Sequence, residues 1–310
     1  MSEFDFSTTL GPAWFPTPIF TASGCASSGK ELSQFFSLQD IGAIVTKSIM
    51  LKARSGRPTP RMAETPSGML NSIGLQGPGI DAFLANDIPW LLAQNARVIV
   101  SIAGENVDEY AVLARKLRSI DGISAVEVNI SCPNVENRGL VFACDPDASR
   151  AVVDGVRRTL GGDIPIIVKL SPDVTDIVEI AKGVIEAGAD GLALINTILG
   201  MVINVDTMRP HLAGKTGGLS GPAIRPVAVR AIYQVHQAFP KIPILGMGGV
   251  RSGRDALELV LAGASGVSVG TATFSNPMAV INVQSELRAH LIQKGFNSLK
   301  DAVGFALRDE

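Results

Sequence analysis

The most constraining feature of this chain is a recurrence. Eight short runs of β-branched and aliphatic residues return along its length: Pro18–Ala22, Gly42–Lys47, Arg97–Ser101, Ala125–Asn129, Pro165–Lys169, Gly191–Asn196, Pro243–Gly248 and Gly266–Gly270. Between most of them lie amphipathic stretches of helical period, near 80–94 and at 106–118, 147–160, 174–187, 222–238, 252–262 and 278–294. A short buried strand followed by a helix is a βα unit, and successive units form a parallel sheet. Eight of them in 310 residues predict a closed (β/α)8 TIM barrel. An N-terminal extension precedes the first run, and long loops follow strands 2, 4 and 6. No linker or charge block divides the chain, so residues 1–310 read as a single barrel domain.

Helix signals agree with this division. Ser171-Pro-Asp-Val-Thr-Asp176 supplies cap residues and early acids ahead of Ile177, Ile180 and Val184, with Gly188 after them. Arg251-Ser-Gly-Arg-Asp255 repeats the pattern ahead of Leu257, Val260 and Leu261. The connections 50–77 and 197–221 are too long for structureless links in a compact barrel, so they are expected to carry function or small structures of their own. Gly77-Pro78-Gly79 and Gly217–Pro222 read as their ends.

Composition excludes several function classes. A hydrophobic content of 46% with 18% charged residues describes a globular chain. No apolar run approaches the roughly 20 residues that span a bilayer. The N-terminus MSEFDFSTTL lacks a basic-then-apolar signal, so a cytoplasmic protein is expected. A net charge of −2 with scattered basic residues argues against a nucleic-acid partner. Cys25, Cys132 and Cys144 are too few and too spread for a disulfide framework or a zinc or four-cysteine cluster site, and no metal is expected.

Candidate chemistry sits at the strand ends. Strand 2 ends in Lys47, strand 4 in Asn129, strand 5 in Lys169 and strand 6 in Asn196. Counting back by two gives Val45, Glu127, Ile167 and Leu194 as their inward-facing neighbours. Two lysines and two carboxamides thus converge at one end of one barrel. An interior ion pair with Glu127 accounts for either lysine alone; an anionic ligand above the barrel accounts for all four residues. Strands 7 and 8 end in Gly246-Met-Gly-Gly249 and Gly270-Thr-Ala272. Barrels commonly bind phosphate on the loops after these strands, with glycine allowing close backbone approach. As a dinucleotide fingerprint GMGG lacks the full spacing. Cys132, between Ser131 and Pro133, hangs a thiol just past the end of strand 4, where Pro133 biases it toward extended backbone. An inert buried thiol is the alternative for a cysteine in such surroundings. A phosphate site, a lysine on strand 5 and a loop thiol together fit an enzyme that uses flavin mononucleotide (FMN), with Lys169 near the pyrimidine edge of the ring.

These motifs also carry a resemblance. Asn129-Ile-Ser-Cys-Pro-Asn-Val135, Ala22-Ser-Gly24, Thr46-Lys-Ser48, Asn71-Ser-Ile-Gly-Leu75, Val168-Lys-Leu-Ser171, Ile195-Asn-Thr197, Gly218–Pro222 and Gly246–Gly249 resemble class 1 dihydroorotate dehydrogenases, from about residue 16 to 295. Ile195–Met201 resembles the 1B catalytic subunits, the NAD-linked type. The resemblance implies oxidation of (S)-dihydroorotate to orotate in pyrimidine synthesis. It implies Cys132 as the general base for the C5 proton while the C6 hydride passes to FMN. Substrate contacts are implied for Lys47, Asn71, Ser72, Ile73, Gly74, Leu75, Asn129, Asn196 and Thr197. Flavin contacts are implied for Ser23, Lys47, Ser48, Asn129, Lys169, Ile195, Gly221, Gly248, Gly249, Gly270 and Thr271. Ser101 stands where asparagine is the commoner family residue, and it is left out of those contacts.

The resemblance further implies a homodimer of this chain and a heterotetramer with a subunit carrying FAD and a [2Fe–2S] cluster. This chain has no convincing nicotinamide fingerprint, so electrons bound for NAD need that relay. A fumarate-linked class 1A enzyme, a dihydropyrimidine-type dehydrogenase and a flavin-free phosphate-binding barrel are the rival readings. The Pro133 loop predicts that the thiol rides on a movable flap above a fixed Asn129.

Overall fold

A computed structural model describes residues 4–131 and 144–308. All eight expected strands are present: β1 (Ile19–Thr21), β2 (Ile44–Val45), β3 (Val98–Ile102), β4 (Ile123–Asn129), β5 (Ile166–Lys169), β6 (Gly191–Leu194), β7 (Ile244–Met247) and β8 (Gly266–Val269). They form one parallel sheet in the cyclic order β1-β8-β7-β6-β5-β4-β3-β2. Gly42 N–H donating to Ile19 O at 2.7 Å, and Thr21 N–H to Ala43 O at 3.3 Å, join the last strand to the first. The barrel of the sequence reading is therefore the observed fold.

The helices fall where the periodicity puts them: α1 (Ile80–Ala93), α2 (Val107–Arg118), α3 (Pro146–Leu160), α4 (Ile177–Glu186), α5 (Arg225–Ala238), α6 (Gly253–Ala262) and α7 (Ala279–Gln293). Asp176 caps α4 by accepting from Val178 N–H, and Ser252 forms a capping box with Asp255 at the start of α6. Two apolar layers result. The outer one packs helices against strand residues such as Val126, Val128, Ile166 and Val168. The inner one fills the barrel with Phe20, Val45, Ile99, Ala125, Ile167, Ala193, Leu245 and Met247.

The N-terminal extension is a hairpin of Thr8–Leu10 and Ala13–Phe15. Its Leu10 and Phe15 belong to the inner layer, and the Phe15 ring meets Phe20 edge-on at 5.0 Å. They close the lower end of the barrel, which leaves the C-terminal mouth as the accessible one.

The two long connections meet each other. Residues 62–65 and 68–71 from the first, and 198–200 and 217–220 from the second, form a four-stranded antiparallel sheet over the mouth. Gly217–Ser220, read as the end of its connection, is the last strand of this sheet and leads through Pro222 into the next helix. Gly218 faces Asn71 in register, and a Cβ there would lie 2.0 Å from Thr197 Oγ1. Only glycine permits this sheet to sit so close to the end of β6. Most of the long connection after β4, residues 132–143, lies outside the described residues.

Candidate active site

Under the cap sheet the barrel mouth holds a cleft of two adjoining lobes, about 240 and 300 Å³. Lys47, Asn129 and Lys169 contribute to it for the reason anticipated, namely that a side chain two residues past an inward-facing one also points inward. Val45 and Ile167 lie in the inner layer below Lys47 and Lys169, and Glu127 lies inside below Asn129. Asn129 and Lys169 are paired neighbours on β4 and β5. β6 departs from the pattern. Leu194 packs outward against the helices, and Ala193 is the residue inside. Asn196 lines the cleft all the same, two residues past the end of β6.

The first lobe is lined by Ile195, Gly221, Gly248, Gly249 and Gly270, the second by Lys47, Ser48, Asn71, Ile73, Gly74, Leu75 and Asn129. Ser23, Lys169, Asn196 and Thr271 line both, as does Thr197. Every residue assigned to the flavin by resemblance thus reaches the cleft. Ser72 does not. It is buried behind the strand, where its hydroxyl accepts from Arg57 Nη1 at 3.2 Å and its N–H donates to Arg61 O at 2.7 Å. Its neighbours Asn71 and Ile73 face the cleft, so the alternation of an extended segment turns Ser72 away. Cys132 lies outside the described residues.

Glu127 pairs with neither lysine. Its Oε1 accepts from Ser101 Oγ at 2.8 Å, and its Oε2 has no partner among the described residues. The interior ion pair is therefore not formed. Lys169 is only 4% exposed, and no described side chain accepts from its ammonium. A buried, unpaired cation at a cleft wall calls for an anion. At the first lobe, Gly248 and Gly249 adopt φ of +127° and +74°, and the N–H groups of Gly249 and Thr271 donate to no acceptor among the described residues. Open backbone donors and a nearby lysine fit the phosphate and ring edge of FMN.

Several residues of the site escaped the sequence reading. Cys25 lines both lobes, and burial pushes its thiol up to about 11 against the opposing influence of Lys169 and Lys47. It is a neutral thiol at neutral pH. Burial lowers the Lys47 pKa, Arg61 lowers it further, and Cys25 works the other way. Ser220 joins the wall through a 2.8 Å bond from Thr271 Oγ1. Met62, Met69 and Phe274 supply apolar surface to the second lobe. Cys25 stands two positions after Ser23 and was within reach of motif reading. The methionines come from the cap sheet, whose pairing no local pattern announces. Among the described residues no group of three or more His, Cys, Asp or Glu side chains could hold a metal ion.

Fold and cleft together define an α/β barrel with a cleft at its C-terminal mouth, the place where such barrels carry their sites, and glycines line one lobe of it beside a buried lysine. Comparison with known proteins narrows this to one family. The family model described as dihydroorotate dehydrogenase matches residues 6–291, and the chain belongs to that family. It is 47% identical over 304 residues to a Geotalea daltonii protein, covering 98% of this chain and 99% of that one. It is 50% identical over 291 residues to a Desulforudis audaxviator protein, covering 94% of each. An Anoxybacillus flavithermus protein is 47% identical over 287 residues, 93% of this chain and 91% of the relative. All three are named dihydroorotate dehydrogenase B (NAD(+)), catalytic subunit.

Proposed function

We infer that this chain oxidises (S)-dihydroorotate to orotate in pyrimidine biosynthesis, as the catalytic subunit of an NAD-linked enzyme. The observation that carries the reading is the position of Lys169, without an acceptor among the described side chains and shared between a glycine-lined lobe and a carboxamide-lined one. Gly221, Gly248, Gly249, Gly270 and Thr271 would hold the FMN phosphate, while Ser23, Ser48, Lys169 and Ile195 would hold the ring. FMN, when bound, supplies the acceptor for the hydride that leaves C6. The Lys47 ammonium would take the substrate carboxylate. Asn71, Asn129, Asn196 and Thr197 would match its ring N–H and C=O edges, since a carboxamide offers both a donor and an acceptor. Ile73, Gly74 and Leu75 would close over it from the cap sheet. The C5 proton would go to the Cys132 thiolate, an assignment that rests on the Asn129–Val135 motif.

Electrons would then leave through a second subunit carrying FAD and a [2Fe–2S] cluster and reach NAD. The names of the relatives support this, as "catalytic subunit" presupposes another. Leu199, Met201, Ile203, Val205 and Met208 stand exposed along one segment beside the cap sheet. Exposed apolar side chains gathered in one segment favour protein contact, which supports association as a homodimer and as a heterotetramer with that subunit. No helix among the described residues is long and apolar enough to cross a membrane. Anaerobic mixing with dihydroorotate tests the reading. Dihydroorotate should bleach the flavin absorbance and dihydrouracil should not; a flavin unmoved by dihydroorotate rejects the catalytic assignment.

A further inference from the structure

A chain of side-chain hydrogen bonds runs from the cleft residues Asn196, Asn129 and Ser48 down to Ser101 and Glu127, which the catalytic reading does not use. Asn196 Nδ2 donates to Ser131 O at 3.0 Å and to Ser131 Oγ at 2.8 Å. Ser131 Oγ donates to Asn129 Oδ1 at 2.8 Å, which also accepts the Ser131 backbone N–H at 3.2 Å. Asn129 Nδ2 donates to Ser48 Oγ at 2.9 Å, and Ser48 Oγ lies 2.8 Å from Ser101 Oγ. Ser101 Oγ donates to Glu127 Oε1 at 2.8 Å.

Three groups give this chain a direction. A backbone N–H only donates, so Asn129 turns its oxygen to Ser131 and its nitrogen to Ser48. A backbone carbonyl only accepts, so Asn196 turns its nitrogen to Ser131 and keeps its oxygen for the cleft. A carboxylate only accepts, so the single Ser101 hydrogen lies on Glu127. Ser101 must then accept from Ser48, and Ser48 has no hydrogen left for the cleft or for Ser23, 3.3 Å away. Every hydrogen points toward Glu127, an arrangement in which each bond polarises the next.

Glu127 is fully buried, and its second oxygen has no partner among the described residues. Such a group costs stability, so the fold does not account for its presence. We propose that Glu127 is a positioning residue. Acting through Ser101, it holds the Ser48 hydrogen inside the barrel and so sets the donor and acceptor pattern that Ser48 and Asn129 present to the ligand. This rests on the reading of the cleft as a flavin and orotate site.

The test uses flavin-loaded enzyme as Glu127→Gln, Ser101→Ala and the double variant. Orotate affinity is measured by titration calorimetry, with flavin content and melting temperature alongside. Glutamine keeps the shape and removes the charge, so the chain loses its charge-assisted end. Orotate binding should weaken on the order of tenfold in each single variant, the size of a charged bond reduced to a neutral one. Because both act through one chain, the double variant should bind about as weakly as the weaker single one. The melting temperature of Glu127→Gln should stay level or rise. Unchanged orotate affinity in Glu127→Gln overturns the proposal, as do fully additive losses or a loss matched by a lower melting temperature. If either variant fails to fold, the affinity of the other decides. Wild-type enzyme that binds no flavin or orotate removes the reading of the cleft, and the proposal with it.

Discussion

Replacing Lys169 by methionine separates the ligand's contribution from the fold's. The side chain ends β5 at 4% exposure, with its neighbours Val168 and Leu170 buried in the outer layer. Methionine nearly matches the lysine stem in length and removes only the ammonium. Without ligand that ammonium has no acceptor among the described side chains, so its loss should not harm the flavin-free protein and should stabilise it by about 1 kcal/mol. A gain of that size would raise the melting temperature by roughly 2 °C in a chain of this length. With ligand, a hydrogen bond to a charged group contributes about 1.5–3 kcal/mol, so FMN should bind roughly ten- to hundredfold more weakly. The assay is flavin fluorescence quenching on stripped protein, paired with melting curves of the stripped and loaded forms. Opposite signs are the signature: a higher melting temperature without flavin and a lower affinity for it. Unchanged FMN affinity, or a flavin-free protein that melts several degrees lower, would refute the anion-site reasoning.

Three further outcomes are expected. Gly249→Ala places a Cβ 2.7 Å from Arg225 Cβ and 3.0 Å from Gly221 O at φ +74°. Left-handed backbone alone costs a side chain about 1–2 kcal/mol, so the purified protein should carry markedly less flavin, and full flavin content would count against flavin binding in the glycine-lined lobe. Lys47 loses its proton at a lower pH than an ordinary lysine, chiefly because it is buried. An anion bound to the ammonium restores that proton, so orotate binding should take up protons on the alkaline side and weaken as pH rises through the free Lys47 pKa. Calorimetry in buffers of different ionisation enthalpy reads this, and proton release on binding would contradict it. Cys132→Ser should be slow and gain speed only at higher pH, because a hydroxyl is a far weaker acid than a thiol of pKa about 8.5; an unaltered pH profile would sink the base assignment.

Much of this protein was legible one segment at a time. Eight buried runs with intervening helical periods determine a (β/α)8 barrel, because each βα unit buries its apolar side in only one way. The same period of two brought Lys47, Asn129 and Lys169 to the mouth. It misplaced Leu194, which packs outward, although Asn196 still lines the cleft. Ser72 was named from a motif and lies behind the strand, since a motif gives neighbours in sequence and not the side they face.

What the sequence alone determined is the set of local choices: strand, helix, cap, and the residue type at each strand end. What only the tertiary structure decided is everything set by pairing between distant segments. The cap sheet joins residues 62–71 to residues 198–220. Cys25 stands against two lysines from other strands, and Glu127 bonds Ser101 instead of either of them. The physical reason is that a partner for a buried polar group is selected by distance and hydrogen-bond direction in the closed barrel. Those quantities do not exist until the eight strands have met.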